Sequence, residues 1–277
     1  MPGDSRRIAG PEETQNPYSF VKDKGDGEQF LLLNKEKLRA DGRATDKVRP
    51  VFLKAGVISQ AKGSAYIELD KTKAICAVYG PREVIKKEDF SMKGQLTCDF
   101  KFATFSCRYR RQHQQDNEEK DLSVLLLEAL EPAVCLHKFP KAQLNIYLTV
   151  LENDGSVLPA AIMCASVAIA DAGIEMYDLV TACSARISGK NILLDPSDAE
   201  EYRSQHTATE GLESGSLTLG ILPSLNQVSA LSSKGEIQFE TIEKAIKQCT
   251  DCCHKLYPVM QECLVKAVKA KMSEKGT

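Results

Sequence analysis

The first half of the chain alternates short apolar segments with turn residues. Runs of β-branched, aliphatic and aromatic residues are separated by Lys-Gly and Asp-Lys pairs, a pattern that is typical of strands joined by tight turns. We predict a meander of strands at VFLKAGVIS (51–59), GSAYIEL (63–69) and KAICAVYG (73–80), with QLTCDFKF (95–102) as the fourth strand. Another apolar run, QLNIYLTVL (143–151), has the length and composition of a buried strand.

Three segments instead repeat apolar residues every three or four positions, the spacing that gives a helix one buried face. The first spans residues 122–134 and follows Asp121, which we predict to be its N-cap. The second, PAAIMCASVAIADAG (159–173), begins with a proline, is rich in small residues and ends at a glycine. The third spans residues 242–267, and Pro258 should bend it.

Further strand patterns lie between the second and third helices, so that strands are followed by helices in each half of the chain. The predicted strands are LVTACSARI (179–187), NILLD (191–195), SLTLGILP (216–223), VSAL (228–231) and EIQF (236–239). This order predicts an α+β fold with two sub-layers that share one interior, rather than a doubly wound parallel sheet. We place a flexible N-terminal tail at residues 1–30, one domain at 31–272 and a C-terminal tail at 273–277.

Composition and charge narrow the classes of protein to which the chain can belong. The 277 residues carry 36 Lys and Arg against 38 Asp and Glu, so contact with nucleic acid requires a local basic patch. No apolar run approaches the roughly 18 residues of a membrane span, and the N-terminus lacks the apolar stretch of a signal peptide. We therefore expect a protein of the cytosol or nucleus, whose ten cysteines are mostly reduced core residues without disulfides.

Several common catalytic motifs do not occur in the sequence. There is no G-x-G-x-x-G that opens a helix, no P-loop and no H-E-x-x-H, and the four histidines are isolated from one another. Cys249 and Cys252 have C-x-x-C spacing but lack a second knuckle and a thioredoxin-like context, so buried thiols are favoured over a zinc or redox site. We expect no cofactor and no metal site.

A basic segment lies between the fourth predicted strand and the first helix. Its cations, Lys101, Arg108, Arg110 and Arg111, are able to contact RNA phosphates without reading bases. The alternative is that they are solvated and pair with acidic residues just downstream, which are Asp116, Glu118, Glu119 and Asp121. Three arginines in one loop predict a modest affinity for RNA.

Three longer segments carry a resemblance to a known family. They are LENDGSVLPAAIMCASVAIADAG (151–173), KGSAYIELDKTKAICAVYGP (62–81) and NILLDPSDAEE (191–201), and together they resemble the RNase PH family over roughly residues 39–266. The resemblance implies the RNase PH-like fold, which is the ribosomal protein S5 domain 2-like arrangement of sheets and helices in two layers. It also implies a chemistry in which inorganic phosphate attacks the last phosphodiester of an RNA 3′ end.

The positions that match the family's active site differ from it in charge. Val157 and Leu158 stand where the family has the Thr-Arg pair that holds phosphate, and Glu118 stands near a second family arginine. Asp195 matches one of the family's two catalytic aspartates, and Glu201 replaces the other. Hydrocarbon and carboxylate groups do not neutralise an anionic transition state, so the resemblance implies a non-catalytic chain. We expect the carboxylates themselves to form a solvated acidic loop.

A chain that keeps the turns of this family but loses its phosphate clamp resembles the non-catalytic ring subunits of the eukaryotic RNA exosome. The resemblance implies an obligate heterodimer with other RNase PH-like subunits in a six-membered ring, together with RNA-binding cap subunits, an associated nuclease and RNA. It also implies a location in the nucleus, nucleolus and cytoplasm. Two alternatives stay open, namely an active phosphate-dependent 3′–5′ exoribonuclease and an assembly protein that shares the fold but is unrelated to RNA.

Overall fold

The computed structural model describes residues 38–84, 91–189, 191–201 and 214–275. The predicted N-terminal tail lies outside these residues, and the division of the chain into one domain and two tails stays a prediction. Within the described residues, two β-sheets and three long α-helices enclose one hydrophobic core. The predicted α+β class is confirmed, and the elements share one interior as predicted, although they form more than two layers.

The first sheet has five strands in the order β1-β2-β3-β5-β4. Their bounds are β1 Val51–Ala55, β2 Gly63–Leu69, β3 Thr72–Glu83, β4 Gln95–Phe102 and β5 Ala142–Glu152. The predicted meander is confirmed for β1, β2 and β3, which pair antiparallel in chain order. The placement of the fourth strand is wrong, because β5 inserts between β3 and β4 and pairs with β4 in parallel. A parallel neighbour is reached through a long crossover, so the local pattern contains no sign of it.

The second sheet has four strands in the order β7-β6-β8-β9. Their bounds are β6 Thr181–Ser188, β7 Asn191–Leu194, β8 Ser214–Leu222 and β9 Gln227–Glu236. The prediction of separate strands at 228–231 and 236–239 is wrong, because β9 runs unbroken to Glu236 and a helix begins at Phe239. Most residues of β9 are exposed on both faces, so the strand lacks the alternation that would have revealed its length.

The helices are α1 Asn117–Leu130, α2 Val157–Asp171 and α3 Phe239–Lys275. The predicted start of α1 is wrong by about one turn, because the N-cap is Asp116 and Asp121 lies inside the helix. The Glu119 carboxylate accepts the Asp116 N–H at 2.9 Å and completes a capping box, which fixes the helix start within a polar stretch. Helix α2 ends where predicted, at Gly173, whose φ of +71° suits glycine.

Helices α1 and α2 lie between the two sheets, and α3 packs on the other side of the second sheet. Twelve of the 15 residues of α2 are buried, because this helix contacts strands of both sheets. Its small side chains permit a close approach: a Cβ on Gly63 in β2 would lie 2.2 Å from the backbone nitrogen of Ala172. The position of α2 is therefore fixed along its length, including the first turn, where the candidate site lies.

Candidate functional site

Side chains from distant segments hold the turn that precedes α2. Asp154, Gly155 and Ser156 form this turn, and the last two have φ angles of +78° and +51°. The Oγ1 of Thr72 donates a hydrogen bond to the Gly155 carbonyl at 2.9 Å. The Nη1 of Arg49 donates to the Asp154 carbonyl at 2.8 Å. Because both donors are buried, the first turn of α2 is held rigidly against the first sheet.

A cleft of about 230 Å³ opens beside the first turn of α2. Four of the positions that match the family's active site line it together, namely Glu118, Val157, Leu158 and Glu201. The second sheet contributes a polar wall, which consists of Ser184, Arg186, Ser216, Thr218, Ser232 and Lys234. Asp195 is absent from the residues that line this cleft.

Asp195 is buried against Arg49 rather than open to the cleft. Arg49 donates three hydrogen bonds to its carboxylate, from Nη2 to Oδ1 at 2.7 Å and from Nε and the backbone N–H to Oδ2 at 2.9 Å each. Burial alone raises the pKa of Asp195, but the hydrogen bonds and charge of Arg49 outweigh it and hold that pKa below its usual value. A divalent ion at this carboxylate would have to displace the guanidinium.

The neighbouring carboxylate of Glu200 is also buried and paired. Arg39 holds its two oxygens through Nη2 at 2.5 Å and Nε at 2.9 Å, and neither side chain is more than 2% exposed. A third arginine, Arg43, places Nη1 3.3 Å from Oδ2 of Asp195. The expected solvated acidic loop is therefore wrong for Asp195 and Glu200, because these arginines neutralise the segment after β7 in the interior.

Sequence reasoning missed the arginines that bind this segment. Arg39 and Arg49 are 161 and 146 residues away from their carboxylate partners, and each lies in a polar, turn-rich stretch that gives no local sign of burial. Arg186 in the cleft was also missed. A signal for it does exist, since Arg186 is the lone charged residue of the otherwise apolar and small-residue strand β6.

Glu201 faces the cleft and has a shifted pKa. Its Oε1 accepts a hydrogen bond from the Ser156 N–H at 3.0 Å. Burial raises the pKa of Glu201 to about 7, and the negative charge of Asp198 adds to the rise. The charges of Arg49 and Arg186 oppose it. Burial lowers the pKa of Arg186 in turn, and the charge of Glu201 opposes that fall. The cleft therefore holds groups of opposite charge, and burial weakens the charge of both Glu201 and Arg186.

Replacing Glu201 with glutamine should remove a pH dependence of stability. Because the folded-state pKa of about 7 lies above the ordinary 4.5, the stabilising contribution is full below pH 4.5 and is lost as pH rises through about 7. We expect wild type to lose on the order of 2–3 kcal/mol relative to Glu201→Gln between about pH 5 and about pH 8. Urea unfolding of both proteins measures this, and identical pH profiles would contradict it.

Arg111, one of the predicted RNA-binding residues, is part of the fold. Its guanidinium carbon lies 4.1 Å from the centroid of the Phe102 ring, and its Nη2 donates to the Glu118 carboxylate at 2.8 Å. A second carboxylate, that of Asp116, lies 3.7 Å from Nη1. Arg111 therefore pairs with downstream acidic residues, which is the alternative to RNA binding given above. Its side chain is only 19% exposed.

The other members of the predicted basic patch remain at the surface. Arg108 forms an ion pair with Asp198 at 2.8 Å, although its side chain is 45% exposed. Lys101 and Arg110 are exposed, and Tyr109, which precedes Arg110 in the chain, is 63% exposed. Within the predicted basic patch, the cations open to a polyanion are therefore mainly Lys101 and Arg110.

The cysteines are arranged as structural side chains. All ten are free, and Cys249, Cys252 and Cys253 are buried in α3, as predicted for thiols on the inner face of that helix. Among the described residues, no group of three or more His, Cys, Asp or Glu side chains is arranged to hold a metal ion. Within the same ranges, no helix has the length and apolar character needed to cross a bilayer.

Known proteins resemble this chain in sequence and in structure. The family model RNase PH, described as the 3′ exoribonuclease family, domain 1, matches residues 47–175. Exosome complex component MTR3 of Homo sapiens is 39% identical, and that of Mus musculus 40% identical, each over 98% of this chain and 98% of its own length. The crystal structure of rice (Oryza sativa) Rrp46 matches with a TM-score of 0.70 at 25% identity, over 82% of this chain and 100% of Rrp46.

These similarities confirm the RNase PH-like fold that the sequence predicted. A narrower resemblance, to the mRNA-transport-regulator-type subunit of the exosome ring, rests on LEALEPAV (127–134) and LPSLNQVSAL (222–231), and the two MTR3 matches confirm it. Since the similarity covers almost the whole length of the chain and its relatives, this chain belongs to the RNase PH family.

Proposed function

We propose that this chain is a non-catalytic structural subunit of an RNA exosome core ring, where it helps to form the channel that delivers RNA for 3′–5′ degradation and processing. The observation that carries the proposal is the cleft at the start of α2, where Val157 and Leu158 occupy the places of a phosphate-holding Thr-Arg pair. The MTR3 relatives are exosome complex components, which supports a ring subunit over a solitary enzyme and over a protein unrelated to RNA.

The charges of the cleft argue against a seat for orthophosphate. Phosphoryl transfer needs cationic or N–H groups that are placed in advance around the developing negative charge. The cations that line the cleft are Arg186 and Lys234, and they face the carboxylate of Glu118 and the carboxyl group of Glu201, which is partly protonated near neutral pH. A phosphate beside α2 would also meet the hydrocarbon side chain of Leu158 where the family places an arginine. The cleft therefore offers an anionic ligand little excess positive charge.

The alternative of an active phosphorolytic exoribonuclease depends on Asp195 and Glu201. The hydrogen bonds from Arg49 occupy both oxygens of Asp195, so a metal ion could reach this carboxylate only by breaking a buried ion pair. Glu201 has a pKa near 7 because of its burial, so it carries a full negative charge only above neutral pH. A divalent ion bound here would have to break the Arg49–Asp195 ion pair and displace the proton that burial favours on Glu201.

The proposed partners follow from the proposed place in a ring. They are other RNase PH-like subunits, one of them in an obligate heterodimer within a six-membered ring, RNA-binding cap subunits, an associated nuclease and RNA. Large apolar side chains at the surface, such as Met92 at 85% and Phe239 at 80% exposure, support a subunit whose surface is covered by neighbours. We propose the nucleus, nucleolus and cytoplasm as its locations.

Phosphate-dependent RNA shortening by a reconstituted ring tests this proposal. The ring is assembled with RNase PH-like partner subunits and without the associated nuclease, and the release of nucleoside diphosphates is measured in orthophosphate. We expect no release that depends on this chain. Release that Glu201→Gln abolishes, and that the matched change Glu128→Gln on the exposed side of α1 leaves intact, would establish the active-enzyme alternative.

Replacing Lys101 and Arg110 together with alanine should weaken the retention of RNA by the ring. Each exposed cation that neutralises a phosphate contributes roughly one unit to the dependence of affinity on salt, so the slope should fall by about 1–2. The matched control is Lys244→Ala with Lys269→Ala, two exposed cations on α3. Filter-binding titrations across a salt series measure both pairs, and equal slopes for wild type and Lys101/Arg110 variant would remove these residues from the RNA path.

A further inference from the structure

Strand β9 forms one edge of the second sheet and is the longest strand at any sheet edge in the described structure. It spans ten residues and pairs with β8 on one side. Among the described residues, no backbone hydrogen bond outside this pairing involves β9. Every second residue of an edge strand directs its N–H and C=O outward, so the regular part of β9 after the bulge at Ser229, residues 230–236, presents a row of backbone donors and acceptors roughly 23 Å long.

The other sheet edges are short or occupied. Strand β4 has eight residues, and α1 satisfies its outer edge: Ser123 Oγ accepts the Phe100 N–H at 3.0 Å and Glu119 Oε1 accepts the Phe102 N–H at 2.8 Å. Strands β1 and β7 have five and four residues. Short or covered edges are the means by which proteins avoid unwanted pairing. Among the residues that the structure describes, the edge of β9 is therefore the long edge without a backbone partner.

Strand β9 carries few of the features that block pairing, although Ser229 forms a bulge where the register with β8 shifts between Gly220 and Ile221. No proline occurs in the strand, and its charged residues, Lys234 and Glu236, lie near its C-terminal end. Val228 is 57% exposed and Leu231 is 53% exposed, and Leu225 in the preceding turn is 47% exposed. An exposed edge strand with two large apolar side chains and no charge before Lys234 is suited to pairing with another chain.

We infer that the outer edge of β9 pairs with an edge strand of a neighbouring RNase PH-like chain, so that the second sheet continues across a ring interface. The inference rests on the proposed function for the identity of that neighbour. The class of occupant follows from chemistry, because a regular row of alternating N–H and C=O groups is matched by another extended polypeptide. The apolar side chains of Val228 and Leu231 favour a protein neighbour over RNA, because they provide no hydrogen-bond donor and no positive charge for a phosphate group.

Charges placed on this edge test the inference. In the variant Val228→Lys with Leu231→Lys, both changed side chains are already exposed, so the fold should be retained. The matched control is Val265→Lys with Val268→Lys on α3, where the valines are 51% and 55% exposed. Each protein is co-expressed with RNase PH-like exosome subunits and the mass of the complex is measured by light scattering over a dilution series. We expect the β9 variant to associate at least tenfold more weakly and the control to match wild type.

Hydrogen–deuterium exchange supplies an independent readout. On assembly of wild type, amides of alternate residues along β9 should exchange at least tenfold more slowly, which is the signature of new strand pairing. An intact ring with unchanged β9 exchange, or a β9 variant that assembles like wild type, would overturn the inference while the proposed ring function stands. Failure of wild type to join any RNase PH-like subunit would instead overturn the proposed function, and the inference with it.

Discussion

Replacing Arg49 with methionine should lower the free energy of unfolding by about 3–5 kcal/mol. Methionine occupies part of the same volume but leaves the Asp195 carboxylate without the donors that now hold both of its oxygens. The cost is larger than that of losing a surface ion pair, because the two side chains are only 3% and 4% exposed. Denaturant unfolding at about pH 7 measures the loss.

A surface arginine provides the control for this change. Arg82 is exposed and its guanidinium carbon lies 5.6 Å from the Tyr79 ring centroid, so Arg82→Met should cost less than about 1 kcal/mol. Adding Asp195→Asn to Arg49→Met should recover part of the loss, since asparagine removes the buried charge and tolerates the φ of +49° at this position. An Arg49→Met loss below about 1 kcal/mol would contradict the buried pair.

The buried ion pair between Arg49 and Asp195 changes how substitutions of Asp195 should be interpreted. An alanine at this position would leave Arg49 buried without its carboxylate partner, so the protein would lose stability whether or not it had any catalytic activity. Loss of activity in such a variant would therefore carry no information about catalysis. Glu201→Gln is the better probe of the cleft, because glutamine retains an oxygen that can accept the Ser156 N–H.

Replacing Gly155 with alanine should lower the free energy of unfolding by about 3 kcal/mol. Two effects combine at this residue. Its φ of +78° lies in the left-handed region that an L side chain rarely adopts, and a Cβ would lie 2.5 Å from the Pro196 carbonyl oxygen. The neighbour is backbone, so the turn before α2 and the segment after β7 would have to separate. Thermal or urea unfolding measures the loss.

Gly173 separates the two effects. Its φ of +71° is nearly the same as that of Gly155, but a Cβ there would meet no heavy atom within 4 Å. Gly173→Ala should therefore cost only the backbone strain, about 1 kcal/mol. Equal losses for Gly155→Ala and Gly173→Ala would show that the turn before α2 does not pack against the segment after β7 as described.

The sequence predicted the fold where local patterns match the environment. Strands β2 and β4 have the predicted bounds, because the buried positions along them follow the apolar positions in the sequence. Helix α2 was recognisable from its small and apolar residues. The predictions failed where partners are distant in sequence. The position of β5 between β3 and β4 depends on a parallel pairing, and the start of α1 depends on a capping box between polar residues.

The candidate site was also predictable only in part, because some of its residues have partners that are distant in the sequence. The resemblance identified Glu118, Val157, Leu158 and Glu201, and the structure brings all four to one cleft. It gave no indication that Asp195 is buried, because the arginines that neutralise it come from a segment about 146 residues earlier in the chain. A charged residue is found in a protein interior only with its partner, and a single sequence does not say which residues are partners.

Orthophosphate at the first turn of α2 provides the most direct test of a non-catalytic ring subunit. A crystal of the assembled ring is soaked in orthophosphate, and the density beside Val157 and Leu158 is compared with that of an unsoaked crystal. We predict that no ordered tetrahedral ion lies within hydrogen-bonding distance of the first turn of α2. An ordered phosphate held there by the helix N–H groups and Arg186 would contradict the claim that this chain has lost its anion site.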